Sequence, residues 1–300
     1  MRKQVGRVVT AVAVVAAVVS GCGGPGRPGA ALIVGDEAVP LERIQSQLTG
    51  VLDRTSGLES YQAQGGDTAQ LSRGIVTSEV LHSLLTRRAA EYGIVVTDAQ
   101  VDAEIEANGG AEAILAQTPL DLAALRSQVR DTLIAEQIGQ RVAPRLSVTV
   151  EIVGTGTSRA DAEQAARTLA AGGPPAEELL AGPTAQRVVY EAGSFPSGLA
   201  SVLLGVPAGT VGAYQPSRNE ATWNAFRVVE RRIDAPAAPA APLPAQQATQ
   251  IGIRDAQLAG QVAGIRVNPR YGEWDPIQGR VVPDGQQVGE IILPPAAAAA

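Results

Sequence analysis

Cysteine, histidine and methionine each occur once in these 300 residues, as Cys22, His82 and Met1, and phenylalanine and tryptophan occur only twice each. One thiol leaves no internal disulfide to form, and one histidine with one cysteine is too few for a His/Cys metal site. No G-x-S-x-G is present, so acyl transfer from a nucleophile elbow has no local signature. Gly154 and Gly156 follow a strand-like run, but neither a G-x-G-x-x-G nor a phosphate loop is completed. Lys3 is the only lysine and no basic patch is interleaved with aromatics, which argues against a nucleic-acid partner. The most apolar stretch, residues 8–19, holds 12 residues. As a helix it would span about 18 Å, well short of the ~30 Å hydrocarbon core of a bilayer. The sequence therefore predicts no catalytic residue, no cofactor and no bound metal.

What is there begins with that stretch. Arg2, Lys3 and Arg7 precede it and the small residues Ser20 and Gly21 follow, the three-part layout of an export signal over residues 1–21. Val19-Ser20-Gly21-Cys22 resembles the lipobox of bacterial lipoproteins: aliphatic, small, small, cysteine. The resemblance implies cleavage before Cys22, diacylglycerol on its sulfur and an acyl chain on the new amino group. Each buried methylene contributes ~0.8 kcal/mol, so two or more chains hold stably where one does not. Cys22 is thus the expected lipidation site, tethering the chain to the outer, extracytoplasmic face of the cell membrane. Without Arg2, Lys3 and Arg7 the 24 basic side chains fall to 21, against 30 acidic ones. Anionic lipid mildly repels such a body, which suits a tether better than adsorption.

With 45% hydrophobic residues the rest of the chain can bury a sizeable core. Residues 22–30 are a Gly/Pro tether. Residues 31–39 read as a short strand with a turn at Gly35-Asp36, and Pro40 opens a helix whose apolar stripe is Leu41, Ile44, Leu48, Val51 and Leu52. Residues 57–66 read as a loop. A long helix is predicted over 68–92, with Gly93 at the C-cap and Leu71, Ile75, Val76, Val80, Leu81, Leu84 and Leu85 on its buried side. Thr97 and Gln100 make a capping box for the next helix, and Thr118-Pro119-Leu120-Asp121 repeats the device with proline at the first helical position. Leu122, Leu125, Val129, Leu133, Ile134, Ile138 and Val142 form the face that follows, and Pro144 ends it. At Ser147 the period changes from helical to alternating. Residues 147–232 then read β-α-α-β-α-β-β, residues 233–245 as a Pro/Ala linker and residues 246–275 as a returning helix and strand. The tail, residues 276–300, is expected to be disordered. The fold class is therefore α+β with more than one domain: a mostly helical part closed by its N- and C-terminal segments, with a small α+β domain inserted.

Two segments carry a family resemblance. Tyr92-Gly93-Ile94-Val95-Val96-Thr97-Asp98-Ala99-Gln100-Val101 resembles a junction in the helical domain of SurA- and PrsA-type extracytoplasmic chaperones. Val267-Asn268-Pro269-Arg270-Tyr271-Gly272-Glu273-Trp274-Asp275 resembles the returning strand that closes the same domain. In that family the ends of the helical domain pair with each other and a parvulin-like domain stands between them, which the insert at 147–232 matches in position, length and order. The resemblance implies a tethered chaperone or foldase whose partners are unfolded or extended exported polypeptides.

It also implies where catalysis would be sought. A parvulin groove pairs histidines on its first and last strands, and this chain reads Val148-Thr149-Val150-Glu151-Ile152-Val153 and Trp223-Asn224-Ala225-Phe226-Arg227-Val228 there, without histidine. Glu191-Ala192-Gly193-Ser194-Phe195 resembles the glycine turn before the groove helix. Phe195, Trp223 and Phe226 are the candidate peptide-binding residues of a degenerate prolyl isomerase, against filling the core of a small domain. Leu41, Leu48, Leu81 and Leu85 are candidates for an apolar client surface, against the same alternative. A structural envelope lipoprotein with one dedicated partner is the third reading. His82, in the long helix, reads as a partly exposed helix residue.

Overall fold

The computed structural model describes residues 27–294, apart from 54, 192–193, 218–220 and 237–242. The export signal and Cys22 lie outside the described residues.

The chain opens with β1 (Ala30–Val34) and β2 (Glu37–Pro40), a hairpin turned at Gly35-Asp36. α1 (Leu41–Leu52) buries Ile44 and Val51. Residues 57–66, expected as a loop, are largely helical instead: α2 covers Thr55–Ala63. Leu58, Glu59, Gln62 and Ala63 are at least neutral helix formers, and the stop comes only at Gly65-Gly66, where the Tyr61 ring stands against Gly66. α3 (Thr68–Tyr92) is capped by the Asp67 carboxylate, which accepts from the Gln70 amide at 2.6 Å. It ends at Gly93 in the left-handed region, φ 64°. α4 (Asp98–Ala107) carries the full Thr97/Gln100 capping box. A short α5 (Ala111–Leu115) follows. α6 (Leu122–Val142) starts three residues later than Pro119 would place it. Asp121 is the N-cap, its carboxylate accepting from the Ala124 amide at 2.6 Å, while the Thr118 hydroxyl donates back to the Ile114 carbonyl.

The α+β part begins at β3 (Ser147–Gly156), followed by α7 (Arg159–Ala171), α8 (Pro174–Ala181), β4 (Ala185–Tyr190), a 3₁₀ turn at Gly198–Leu204, β5 (Val211–Tyr214) and β6 (Trp223–Arg232). α9 (Ala245–Ala263) then returns to the helical part, and β7 (Ile265–Val267) pairs antiparallel with β1, Val267 opposite Leu32. Asn268 fixes this closure. Its amide donates to the Ala31 carbonyl at 2.8 Å and its side chain to the Ala30 carbonyl at 3.1 Å, 238 residues away in sequence.

The expectation of a disordered tail from residue 276 is corrected. β8 (Glu273–Asp275) and β9 (Arg280–Val282) form a hairpin, and β10 (Gly289–Ile292) joins the other sheet, whose order is β10-β5-β6-β3-β4. The physical reason is burial. Ile277, Val281 and Val282 are all but inaccessible to solvent, and each such side chain contributes ~1.5–3 kcal/mol, enough to offset its ordering entropy. Asp275 ties the turn, accepting from the Ile277, Gln278 and Val288 amides at 2.9, 3.0 and 2.9 Å. Residues 295–300 lie outside the described residues.

The two parts share one core. Buried apolar side chains run without a break from Leu32, Ile44 and Leu84 through Ile138 and Ile251 to Val150, Leu203 and Phe226. The other face of the sheet packs Val153, Ala213 and Ala225 on Ala162, Ala166 and Leu169 of α7. α9 is the joint, and it does this with small and charged residues. Gly139 of α6 faces the Ala248 carbonyl and Gly252 faces the Ala135 carbonyl, so closely that a Cβ at either glycine would sit 1.8 Å from the oxygen. Asp255, buried, accepts from Arg88 Nε at 2.6 Å and Tyr92 Oη at 2.9 Å on α3, and from Arg231 Nη2 at 2.7 Å on β6. Its neighbour Arg254 donates to Ser201 Oγ at 2.9 Å in the 3₁₀ turn and to the Ile277 carbonyl at 2.7 Å. Burial pulls the Arg254 pKa down to about 10, with Asp275 opposing, which leaves it a cation at neutral pH.

Candidate functional site

A groove of about 610 Å³ opens in the helical part, between α3 and α6 and beside α1. Helical spacing makes it. Leu71, Ile75, Ser78 and His82 of α3 recur every three or four residues along one wall, as do Ala124, Gln128 and Asp131 of α6 along the other, with Ser127 beside them. Gly74 widens the floor, since nothing lies within 4 Å of where its Cβ would be. Val51 of α1, Tyr61 of α2 and Leu120 before α6 complete an apolar lining.

Its polar groups are paired across helices. Glu79 accepts from Gln47 Nε2 at 2.7 Å and forms an ion pair with Arg43 at 3.2 Å, tying α1 to α3. His82 Nδ1 stands 2.9 Å from Asp131 Oδ1, tying α3 to α6. The hydrogen bond to Asp131 raises the His82 pKa above its ordinary value. Burial opposes it, the charges of Asp131 and Glu79 add to the rise, and Arg43 opposes. A raised histidine contributes stability that is full below its unfolded pKa and lost as pH rises through the folded one. With the side chain 37% exposed the contribution is small.

Of the leucines singled out from the sequence, Leu81 and Leu85 line the groove, Leu85 while also belonging to the core. Leu41 packs against the core instead, and neither it nor Leu48 lines the groove. Between α6 and α9 no such space is left, because the two glycine contacts close it.

The three aromatic candidates of the α+β part are not brought together. Phe226 is fully buried, edge-on to Tyr214 with ring centroids 5.6 Å apart. Phe195 lies in the same core beside Val202–Leu204. Trp223 lies on the opposite face, packed against the α7 cluster with the Arg159 guanidinium 5.6 Å from its ring. None of the three lines the groove. Among the described residues no three His, Cys, Asp or Glu side chains converge as a metal-ligand set, and no described helix is long and apolar enough to cross a membrane.

Comparison with known proteins agrees with the N-terminal half. No curated protein matches the chain. Among solved structures, that of the foldase protein PrsA from Lactococcus lactis is similar over 75% of this chain and 85% of that one, at 11% identity and a TM-score of 0.25, a likeness too slight to build on. Residues 1–139 match the family described as the SurA-like N-terminal domain. That span holds the junction at 92–101 and both walls of the groove. Over those residues, and over those alone, the chain is similar to the SurA-like N-terminal domain.

Proposed function

We propose that this chain is a membrane-tethered extracytoplasmic chaperone that holds unfolded or extended exported polypeptides in the α3–α6 groove. The observation that carries the reading is the groove itself: an open, mainly apolar channel of about 610 Å³ within the SurA-like domain. That volume lies in the ordinary range for sites that take apolar ligands. The paired polar groups hold the walls apart without presenting unpaired charge, so apolar side chains of an extended segment can enter without stranding a buried ion.

Gly74→Trp tests this directly. An indole there points into open space, so the fold is expected to keep its thermal midpoint, while suppression of aggregation of an unfolded client falls several-fold. Undiminished suppression by a chain with the groove plugged would count against the groove.

The tether rests on the lipobox resemblance of residues 19–22. Cys22→Ser is expected to move the protein from the membrane fraction to the soluble one and to abolish acyl-chain incorporation. Membrane retention of that variant after a high-salt wash would remove the lipid from the account.

A further inference from the structure

The end of the described chain is seated on the α+β sheet as an added strand. Gly289 lies opposite Tyr214, Glu290 opposite Ala213, Ile291 opposite Gly212 and Ile292 opposite Val211. Without β10 the sheet would end at β5, whose four residues are all buried. Three features of the seat read the occupant. Arg167 on α7 pairs with Glu290 at 3.1 Å. Arg159, one helical face along, donates to the Gln287 carbonyl at 2.6 Å. On the opposite face only a small residue fits at Gly289, where a Cβ would stand 2.1 Å from the Ala213 carbonyl and 2.5 Å from Ile277. Ile291 and Ile292 then pack on the two faces of the sheet, one into each core.

The occupant is held less firmly than its seat. Glu290, Ile291 and Ile292 are only half-buried, and an open cleft of about 830 Å³ runs between α7 and the last segment, lined by Arg159, Arg167, Trp274, Gln287 and Glu290. Short strands with partly exposed side chains open at low free-energy cost.

We propose that β10 is a displaceable occupant of a strand-addition site, and that the β5 edge takes an extended client segment of the same chemistry: a small residue, an acidic one, then two branched apolar ones. Main-chain hydrogen bonds supply affinity for any extended chain, and the Arg167 guanidinium and the tight place at Gly289 supply selectivity. The tail competes at an effective concentration on the order of millimolar, so it yields to a segment already held nearby. The proposal rests on the client-binding reading only for the nature of the occupant.

The test uses a fluorescent peptide with the sequence of residues 286–294, titrated into the full chain and into its Gly289→Val/Glu290→Lys variant. These changes spoil the tail's own fit and leave the seat untouched. The variant is expected to bind the peptide roughly tenfold more tightly than the unaltered chain, because the competing tail is gone. The same peptide carrying Glu290→Lys is expected to bind roughly threefold more weakly. Equal binding by the two chains, indifference to the lysine, or a stable dimer formed by exchange of tails would each overturn the proposal. Hydrogen exchange on the unaltered chain adds a check that needs no variant to fold. Amides of 289–292 are expected to exchange roughly a hundredfold faster than those of β3 and β6, and equal protection would overturn it. Neither measurement involves the helical groove, so this proposal and the groove reading stand or fall separately.

Discussion

Asp255→Ala is expected to lower the unfolding free energy by about 3–5 kcal/mol, because it strips the counter-charge from Arg231, held out of water, and leaves Arg88 with Glu91 alone. Arg88 and Arg231 point at a carboxylate that is 1% exposed, and the Tyr92 hydroxyl shares it. These three donors come from α3 and β6, so the carboxylate joins the helical part to the sheet part through α9. Urea unfolding should therefore show a lower midpoint and a transition that separates into two, with Trp223 and Trp274 as reporters. A loss below about 0.5 kcal/mol would mean that surface-like solvation already satisfies the arginines. The effect depends on pH in a definite direction. Burial alone would raise the Asp255 pKa, but the Arg88 hydrogen bond and the charges of Arg231 and Arg88 outweigh it and leave it lowered. A lowered carboxylate contributes stability that is complete above the unfolded value of about 3.9 and is lost as pH falls towards the folded one. The gap between the variant and the unaltered chain should narrow in acid.

Gly252→Val is expected to cost about 3 kcal/mol or more, at the upper end of what overpacking does. A Cβ at 252 would stand 1.8 Å from the Ala135 carbonyl oxygen and 3.0 Å from the Ala135 Cα. Backbone cannot swing aside as a flexible side chain can, so α9 must move off α6. Gly50 on α1 is the control, with nothing within 4 Å. There Gly50→Ala should raise stability by about 0.5–1 kcal/mol through helix propensity alone. Thermal midpoints of the two variants should move in opposite directions. If both rose, the close α6–α9 approach would not be what holds the returning helix.

α1, α3 and α4 were legible because their signals are local, whereas α2 and α5 were not. Thr97 with Gln100 and Gly93 after α3 mark ends, and leucines at three- and four-residue spacing mark the buried side. α9 was legible as a helix but not in its orientation. Apart from Ile251, its buried residues are small or polar (Ala248, Gly252, Arg254, Asp255, Ala256, Gln257 and Gly260), whereas Val262 is 72% exposed. A hydrophobicity reading weighs these the wrong way round, since what decides the face is close backbone approach and paired charge. The order of the tail is hidden in the sequence for a related reason: its buried residues are few and separated by turn formers. The groove could not be read at all, because Leu81 and Leu85 look alike as core or surface until α6 is set beside α3. Trp223 and Phe226 are three apart on a strand, an odd spacing that puts them on opposite faces.

The antiparallel closure of β1 by β7 also sets an order of events. A chain synthesised from its N-terminus presents Ala30 and the rest of β1 long before Asn268, 238 residues after Ala30, arrives. At ~5–20 residues per second that interval is on the order of ten to fifty seconds. For most of it the helical part lacks α9 and its third strand, and throughout it the sheet lacks the strand that covers β5. The protein spends its own emergence as an unfinished chain with exposed apolar edges. Until its last strands arrive, it is itself in the condition of the polypeptides it would hold.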